Sequence, residues 1–271
     1  MIFDKKLQQE FGISWMRVKL ILLNYQQKKA FKNAQGIIFL SHYAQNSIGK
    51  QVNLKGIVSA IINHGVSDNF RLEPKEQYPI IYYDLKKTFN FLYVSTIWKY
   101  KHHANVLMAI ANLRRKNYPI SITFVGNGEQ KNVAKNLEQS IKIYDPKGEF
   151  VTWIKGVKLN EVISHYQKAD AFVYASSCEN MPNILIEAMS SGLPIASSSY
   201  EPMPEFLKDA GLYFDPRNVN EIESALEKML VDTELRKTLS NSSYNYSGNF
   251  NWNKCANQTF SFLQKIGNGA L

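Results

Sequence analysis

Apolar residues in this chain follow two alternating rhythms. Unbroken apolar runs of strand length are separated by longer stretches in which apolar positions recur three and four residues apart. The runs predict strands at Ala34 to Leu40, Ile57 to Ile62, Phe89 to Ser95, Ser121 to Val125, Phe150 to Ile154, Ala169 to Ser176, Leu193 to Ser199 and Gly211 to Asp215. The helical spacing predicts helices at Ile13 to Lys32, Ser41 to Val52, His103 to Lys116, Glu129 to Ser140 and Asn160 to Gln167. It predicts further helices from Pro182 to Gly192, at Glu201 to Asp209, Val219 to Leu230, Thr233 to Ser240, and Trp252 to Ile266. Arg71 to Thr88 is charged and polar with scattered aromatics, and reads as a connection. Strands alternating with helices imply an α/β fold with a doubly wound parallel sheet. No internal repeat or low-complexity segment interrupts it.

One strand–loop–helix–strand unit stands out. The run ending at Ser176 leads into S-C-E-N-M-P-N-I-L-I-E-A-M-S-S-G, Ser177 to Gly192. Here Pro182 suits the first helical turn and Gly192 the end of the helix. Glu179 lies before the helix and Glu187 within it. Pro182 to Glu187 spans roughly 7–8 Å of helix rise at ~1.5 Å per residue. The helix start offers unpaired N–H groups to a phosphate, and carboxylates accept hydrogen bonds from hydroxyls. A nucleotide-sugar carries both kinds of group. Acids near a helix start are also favoured by its dipole alone, so the pair by itself equally describes two solvated carboxylates.

Composition narrows the setting. The 271 residues, 45% hydrophobic and 13% aromatic, suffice for one large domain or two, and exclude a disordered chain. The net charge of +9 favours anionic partners. Within residues 1–32, seven basic residues stand against two acidic ones, a net +5. The predicted helix there, with Trp15, Val18, Leu22, Tyr25 and Phe31 among its apolar positions, reads either as a basic amphipathic helix on an anionic membrane or as a core-facing helix with a solvated back. Cys178 and Cys255 have no metal-like spacing, and no eighteen-residue apolar run or signal-peptide layout occurs. A cytoplasmic protein in a reducing compartment is expected, without a metal or other cofactor. Basic residues interleaved with aromatics are lacking, so nucleic acid is not an expected partner.

Glu179 to Glu187, followed by A-M-S-S-G-L-P-I, resembles the E-x7-E signature of family-4 retaining glycosyltransferases of the GT-B fold. The resemblance extends to I-I-N-H-G-V at Ile61 to Val66, similar to the family's interdomain linker, and to Y-V-S-T-I-W-K-Y-K at Tyr93 to Lys101. Phe124 to Gly128 resembles its G-x-G turn, and Phe250 to Trp252 the start of its closing helix. It implies a GT-B-like architecture with one complete Rossmann-like parallel-sheet domain at 67–245, which binds the donor. Residues 1–66 would be a partial acceptor-side Rossmann-like domain, and 246–271 a helix crossing back to it. The family's opening strand, glycine-rich loop and catalytic-histidine segment have no counterpart here. A fragment, a late translation start and a partner chain supplying the rest all stay open.

By the same resemblance, Glu187 holds the ribose hydroxyls and Glu179 contacts the transferred sugar. Backbone N–H groups around Asn180, Met181, Asn183 and Ile184 meet the diphosphate and sugar. Lys101 neutralises the departing diphosphate. The family's neighbouring arginine falls at Thr96, and Lys99, His102 or His103 are candidates to replace its charge. Gly126, Gly128 and the Lys155-Gly156-Val157 turn approach the donor, although glycines at such turns also serve backbone geometry alone. His64 falls in the linker, where a structural role is expected, and Glu205 reads equally as a cap and as an acid at the site edge. The implied activity is transfer of a hexosyl group, with retention and without metal, from a nucleotide-diphosphate-sugar to a glycan or lipid-linked acceptor. Surface polysaccharide synthesis at the inner face of the cell membrane is the implied setting. A non-catalytic nucleotide-sugar-binding module, or a subunit completed by a partner chain, is the alternative.

Overall fold

The computed structural model describes residue 12 and residues 14–268. Two compact units divide the chain. The first takes residues up to Gly65 together with Glu179–Met181 and the segment from Phe250 onward; the second takes Val66–Cys178 and Pro182–Asn249.

In the first unit, α1 (Trp15–Lys32) leads to β1 (Gly36–Phe39), α2 (His42–Gly49) and β2 (Val58–Ile61). The strands pair in parallel, Gly36 opposite Val58 and Phe39 opposite Ile61. Ser14 caps α1 by accepting from Arg17 N, and Ser41 caps α2 by accepting from Ala44 N at 3.1 Å. A small core of Ile37, Phe39 and Ala44 gathers Phe31, Ile48, Leu54 and Ile57 around it. The last helix, α10 (Trp252–Gly267), closes this core: a side chain at Gly36 would run into Ile266 and Phe262.

Helix α1 departs from an ordinary core-facing helix. Of its residues only Leu20 is buried, while Trp15 (79% exposed), Tyr25 (72%), Leu22 and Val18 face outward. Ile13 and the residues before Gly12 lie outside the described residues.

In the second unit, single turns at Asp68–Phe70 and Ile80–Tyr82 precede β3 (Phe89–Val94). Then follow α3 (His103–Arg115), β4 (Ile120–Val125), α4 (Lys131–Tyr144), β5 (Val151–Ile154), α5 (Leu159–Lys168) and β6 (Ala171–Tyr174). The chain continues through α6 (Asn183–Ser190), β7 (Ile195–Ser198), α7 (Met203–Leu207), β8 (Leu212–Phe214), α8 (Val219–Val231) and α9 (Thr233–Ser247). All six strands are parallel, in the order β5-β4-β3-β6-β7-β8. This is a complete doubly wound, Rossmann-like sheet, as its apolar runs require: Phe91, Leu92, Ile122, Phe172, Val173 and Ile195 are all fully buried between two helical layers. Between β3 and β6 the chain reverses its direction of winding. The carboxyl ends of those two strands flank the crevice where such sheets bind ligands.

Several boundaries differ from the sequence reading, and two of them bear on packing and the site. Pro182 is the N-cap of α6, and Asn183 its first helical residue. Helix α9 runs to Ser247, past the expected end at Ser240. Its polar tail S-N-S-S-Y-N-Y-S is a poor helix former in isolation, yet Ser240, Ser243 and Ser247 are buried. Ser243 Oγ donates to Leu193 O at 3.3 Å and Ser247 Oγ to Tyr244 O at 2.7 Å. Small hydroxylated side chains let the helix approach the sheet closely while satisfying their own polar atoms.

Candidate functional site

The crevice side of β3 is built from an unusual run of buried polar residues. After Tyr93 the chain turns through Ser95 and Thr96 to a single helical turn at Lys99–Lys101, then through His102 in the left-handed conformation (φ 48°) into α3. Lys101 is only 4% exposed. Its Nζ donates to Tyr174 Oη at 3.2 Å, at the carboxyl end of β6, and lies 5.0 Å from that ring's centre. Tyr93 Oη donates to Lys101 O at 2.6 Å. Ser177 N donates to Tyr100 O at 2.8 Å, and Ser177 Oγ lies 2.9 Å from His102 Nε2. The turn bearing Lys101 is thus fastened to the ends of both strands at the switch point.

His103 offers no charge to replace the arginine that the resemblance sets against Thr96. His103 is buried, stacks on Tyr93 at 4.5 Å and shares a hydrogen bond with Ser95 Oγ at 3.0 Å. Burial first, then the neighbouring Lys101 and His102, lowers its pKa to about 3, so it is neutral at physiological pH. His102 is held by Ser177. Lys99 stands exposed on the turn, and Thr96 is half-buried.

Gly126 closes the neighbouring wall. It has φ +145°, and a Cβ there would strike the carbonyl of Ser95 and crowd Thr96 N. Only glycine lets the loop after β4 lie on the loop after β3. Ile97 N donates to Asn127 O, and Asn127 Oδ1 accepts from Gly156 N, both at 2.8 Å. This chain of bonds links the turns after β3, β4 and β5, with Val157 half-buried at its far end. Gly128 packs against Ala134, where a Cβ would sit 2.6 Å from the alanine methyl.

Helix α6 begins at the carboxyl side of β6. The N–H groups of its first turn, including those of Asn183 and Ile184, have no carbonyl of their own helix to reach. Glu187 lies one turn further, its Oε2 accepting from Tyr166 Oη at 3.1 Å. Burial pushes the Glu187 carboxyl up to about 7, with the tyrosine bond opposing the shift. Tyr166 is fully buried and its own pKa is raised by burial, then by Glu187.

The structure brings Lys101, Thr96, Gly126, Gly128, Val157, Asn183, Ile184 and Glu187 together in the second unit, at the carboxyl edge of its sheet. Glu179, Asn180 and Met181 group with the first unit. There Ser41 Oγ donates to Asn180 O at 2.8 Å, and Met181 Sδ accepts from His64 N at 3.1 Å. The His64 ring stacks on Trp252 at 5.6 Å, and the adjacent Gly65 leaves no room for a Cβ against Trp252 N. Glu205 is half-buried in the short helix α7. The bonds made by the hydroxyls of Tyr93, Tyr166 and Tyr174 were not foreseen from the sequence, although Tyr174 ends an apolar run with a hydroxyl that a buried strand has to satisfy.

A family model described as glycosyl transferases group 1 matches residues 82–246, more than half of the chain. The chain belongs to the glycosyl transferases group 1 family. O-antigen chain mannosyltransferase B of Escherichia coli is 28% identical over 200 residues, covering 71% of this chain and 50% of that protein. O-antigen chain mannosyltransferase RfbU of Salmonella typhimurium is 26% identical over 214 residues, 78% of this chain and 56% of that one. The capsular polysaccharide biosynthesis glycosyltransferase CapM of Staphylococcus aureus is 22% identical over 231 residues, 82% and 59% of the two chains. This group 1 chain spans about half the length of the curated relatives it matches. Among solved structures, sucrose-phosphate synthase from Thermosynechococcus elongatus superposes with a TM-score of 0.78 at 18% identity, covering 98% of this chain and 67% of that one. Anabaena HepE in complex with UDP and glucose gives 0.75 at 16% identity, covering 97% and 69%. The fold is that of GT-B glycosyltransferases.

Proposed function

We propose that this chain carries the donor-binding half of a retaining glycosyltransferase, which moves a hexosyl group from a nucleotide-diphosphate-sugar to a glycan or lipid-linked acceptor in surface polysaccharide synthesis. One observation carries the reading: a buried lysine and a helix N-terminus followed by a half-buried carboxylate share the switch point of a doubly wound sheet. Lys101 and the first turn of α6 supply positive potential for a diphosphate, and Thr96 a hydroxyl donor. Glu187 accepts from the ribose hydroxyls. Glu179 attends the transferred sugar, with the backbone N–H groups of Asn180, Met181, Asn183 and Ile184 beside it. Gly126, Gly128 and Val157 border the nucleoside. Developing charge on the diphosphate is met by Lys101 and the helix dipole, which takes the place of a metal. That relatives act in O-antigen and capsule synthesis, and that HepE binds UDP and glucose, supports this donor and acceptor class.

The same reading places the chain at the inner face of the cell membrane. Helix α1 has five basic residues and no acidic one, with Trp15 and Tyr25 exposed. No helix among the described residues is long and apolar enough to cross a membrane. Each basic residue near an anionic surface contributes about 1 kcal/mol, which gives reversible recruitment. Calorimetry with nucleoside diphosphates and nucleotide-sugars tests the donor reading. At least one is expected to bind with one-to-one stoichiometry; a folded chain that binds none refutes it.

A further inference from the structure

The opposite edge of the six-stranded sheet carries a cleft of its own. The connection before β3 and the turn between α3 and β4 meet at the amino ends of those strands, and between them lies a cleft of about 510 Å³. Small-molecule sites commonly measure roughly 300–1,000 Å³. Its walls are mainly apolar, from Ile80, Ile81, Leu85, Tyr118 and Pro119. Ile81 is 84% exposed and Leu85 71%, with Tyr82 beside them also exposed. These side chains give the cleft an apolar rim open to solvent.

Arg114 also lines this cleft. Its side chain is 14% exposed, and Nη1 is sealed from water without a hydrogen-bond partner. Nη2 lies 3.9 Å from the mostly exposed Glu149 carboxylate, beyond hydrogen-bond length, and the guanidinium sits 5.2 Å from the centre of the Phe150 ring. A second buried arginine in the same unit shows the usual arrangement. Arg236, fully buried, donates from Nη1 to Met229 O at 2.6 Å and Leu230 O at 2.8 Å, and from Nε to Gln77 Oε1 at 3.2 Å. Buried donors are ordinarily paired, and an orphan guanidinium N–H calls for an acceptor.

The acids nearby are already engaged. Asp84, also on the cleft, accepts from Lys86 N at 2.7 Å and Lys87 N at 2.8 Å, closing its own turn. Glu223 and Glu227 pair with Lys116 at 2.8 Å. Lys86, Lys87 and Arg115 stand exposed beside the cleft residues in sequence. The groups left unmatched are therefore the Arg114 Nη1 donor, with the Asp84 and Glu149 carboxylates as its acidic neighbours, and the exposed apolar side chains of Ile81 and Leu85.

We infer that this cleft binds an amphiphilic anion, one carboxylate or phosphate headgroup on a hydrocarbon chain, with Arg114 holding the headgroup and Ile81 and Leu85 the chain. Such a ligand is either an anionic lipid still in its bilayer or a dispersed amphiphile. Either would couple this end of the domain to lipid, at the edge of the sheet farthest from Lys101 and Glu187.

Decyl phosphate and decanol, each kept below the concentration at which it aggregates, are titrated into the full chain by calorimetry. Decyl phosphate is expected to bind one per chain and at least about tenfold more tightly than decanol, as a charge-assisted hydrogen bond implies. Arg114→Met removes the preference, and Leu85→Asp weakens decyl phosphate at least about tenfold with no change in the thermal transition. Should Arg114→Met not fold, Leu85→Asp and Ile81→Ser carry the test, because both positions are exposed. Equal affinity for decanol and decyl phosphate, no binding of either, or affinities unmoved by these variants overturns the assignment. Vesicles of phosphatidylcholine with and without phosphatidylglycerol separate the two sources. Loss of binding to the anionic vesicles in Leu85→Asp identifies a bilayer lipid, whereas unchanged vesicle binding beside weakened decyl phosphate binding identifies a dispersed amphiphile.

Discussion

The two edges of the same six strands solve opposite problems. At the carboxyl edge, charged and hydroxyl groups are buried and fastened to one another: Lys101 to Tyr174, Tyr93 to the Lys101 carbonyl, Glu187 to Tyr166. At the amino edge, apolar side chains stand in solvent around an arginine with an unpaired N–H. The first edge is preorganised, with the Lys101 cation buried and the half-buried Glu187 carboxyl held by Tyr166 before any ligand arrives. The second is poised for an occupant that brings both an acceptor and apolar surface. Burying Lys101 and Glu187 works against stability, and a polar cluster maintained at that cost marks function more strongly than any glycine turn beside it.

The largest expected effect concerns that cost. Burial raises the Glu187 pKa from 4.5 to about 7. The folded state therefore binds the proton more tightly than the unfolded chain. The corresponding stability is fully present below pH 4.5 and is lost as pH rises through about 7, amounting to about 3 kcal/mol. Urea unfolding of wild type and Glu187→Gln between pH 5 and pH 8 measures it. The wild type should lose stability over that range by about this amount relative to the variant. Parallel curves would mean that the carboxyl is hydrated, and the contrast between edges would weaken.

Next in size is Lys101→Met, expected to lower nucleoside diphosphate affinity by about tenfold to a hundredfold while leaving decyl phosphate binding at the amino edge unchanged. Titration of both ligands into one variant checks both halves of the statement. Tyr174→Phe removes one hydrogen bond to Lys101 and should cost about three- to tenfold in the same titration. An effect as large as that of Lys101→Met would show that the phenol touches the ligand itself. Smallest is Leu85→Asp, whose unfolding free energy should stay within about 0.5 kcal/mol of wild type, because the side chain is 71% exposed.

Much of the second unit was legible in sequence because its strands are buried on both faces and its turns carry glycine or proline. A-F-V-Y between Asp170 and Ser176 can hardly be anything but a central strand, and the capping pattern at Asn218 fixes the start of α8. Glu187, Lys101 and Gly126 were singled out through the resemblance, whose motifs are local in sequence, and all three lie in the second unit. What escaped is set by tertiary contact. Nothing in the local sequence says that Tyr166 reaches Glu187 from 21 residues away, or that Tyr174 reaches Lys101 from 73. His103 looked like a spare cation, and only its burial beneath Tyr93 shows it to be neutral. The apolar positions of α1 fitted a membrane-facing stripe as well as a core-facing one, because periodicity records an amphipathic face without saying what covers it. The amino-edge cleft left no motif, since its residues come from the connection before β3, the end of α3 and the turn after it, and share only a place in space.

The account rests most heavily on Glu187 as the residue that reads ribose. The nucleoside diphosphate bound in the calorimetric panel can be compared with its 2′,3′-dideoxy analogue, against wild type and Glu187→Gln. Wild type is predicted to prefer the ribose form by about tenfold or more, and Glu187→Gln to bind the two forms alike, since the lost interaction is the one the dideoxy analogue cannot make. Equal discrimination by both proteins would contradict the assignment, and with it the placement of the donor at this edge of the sheet.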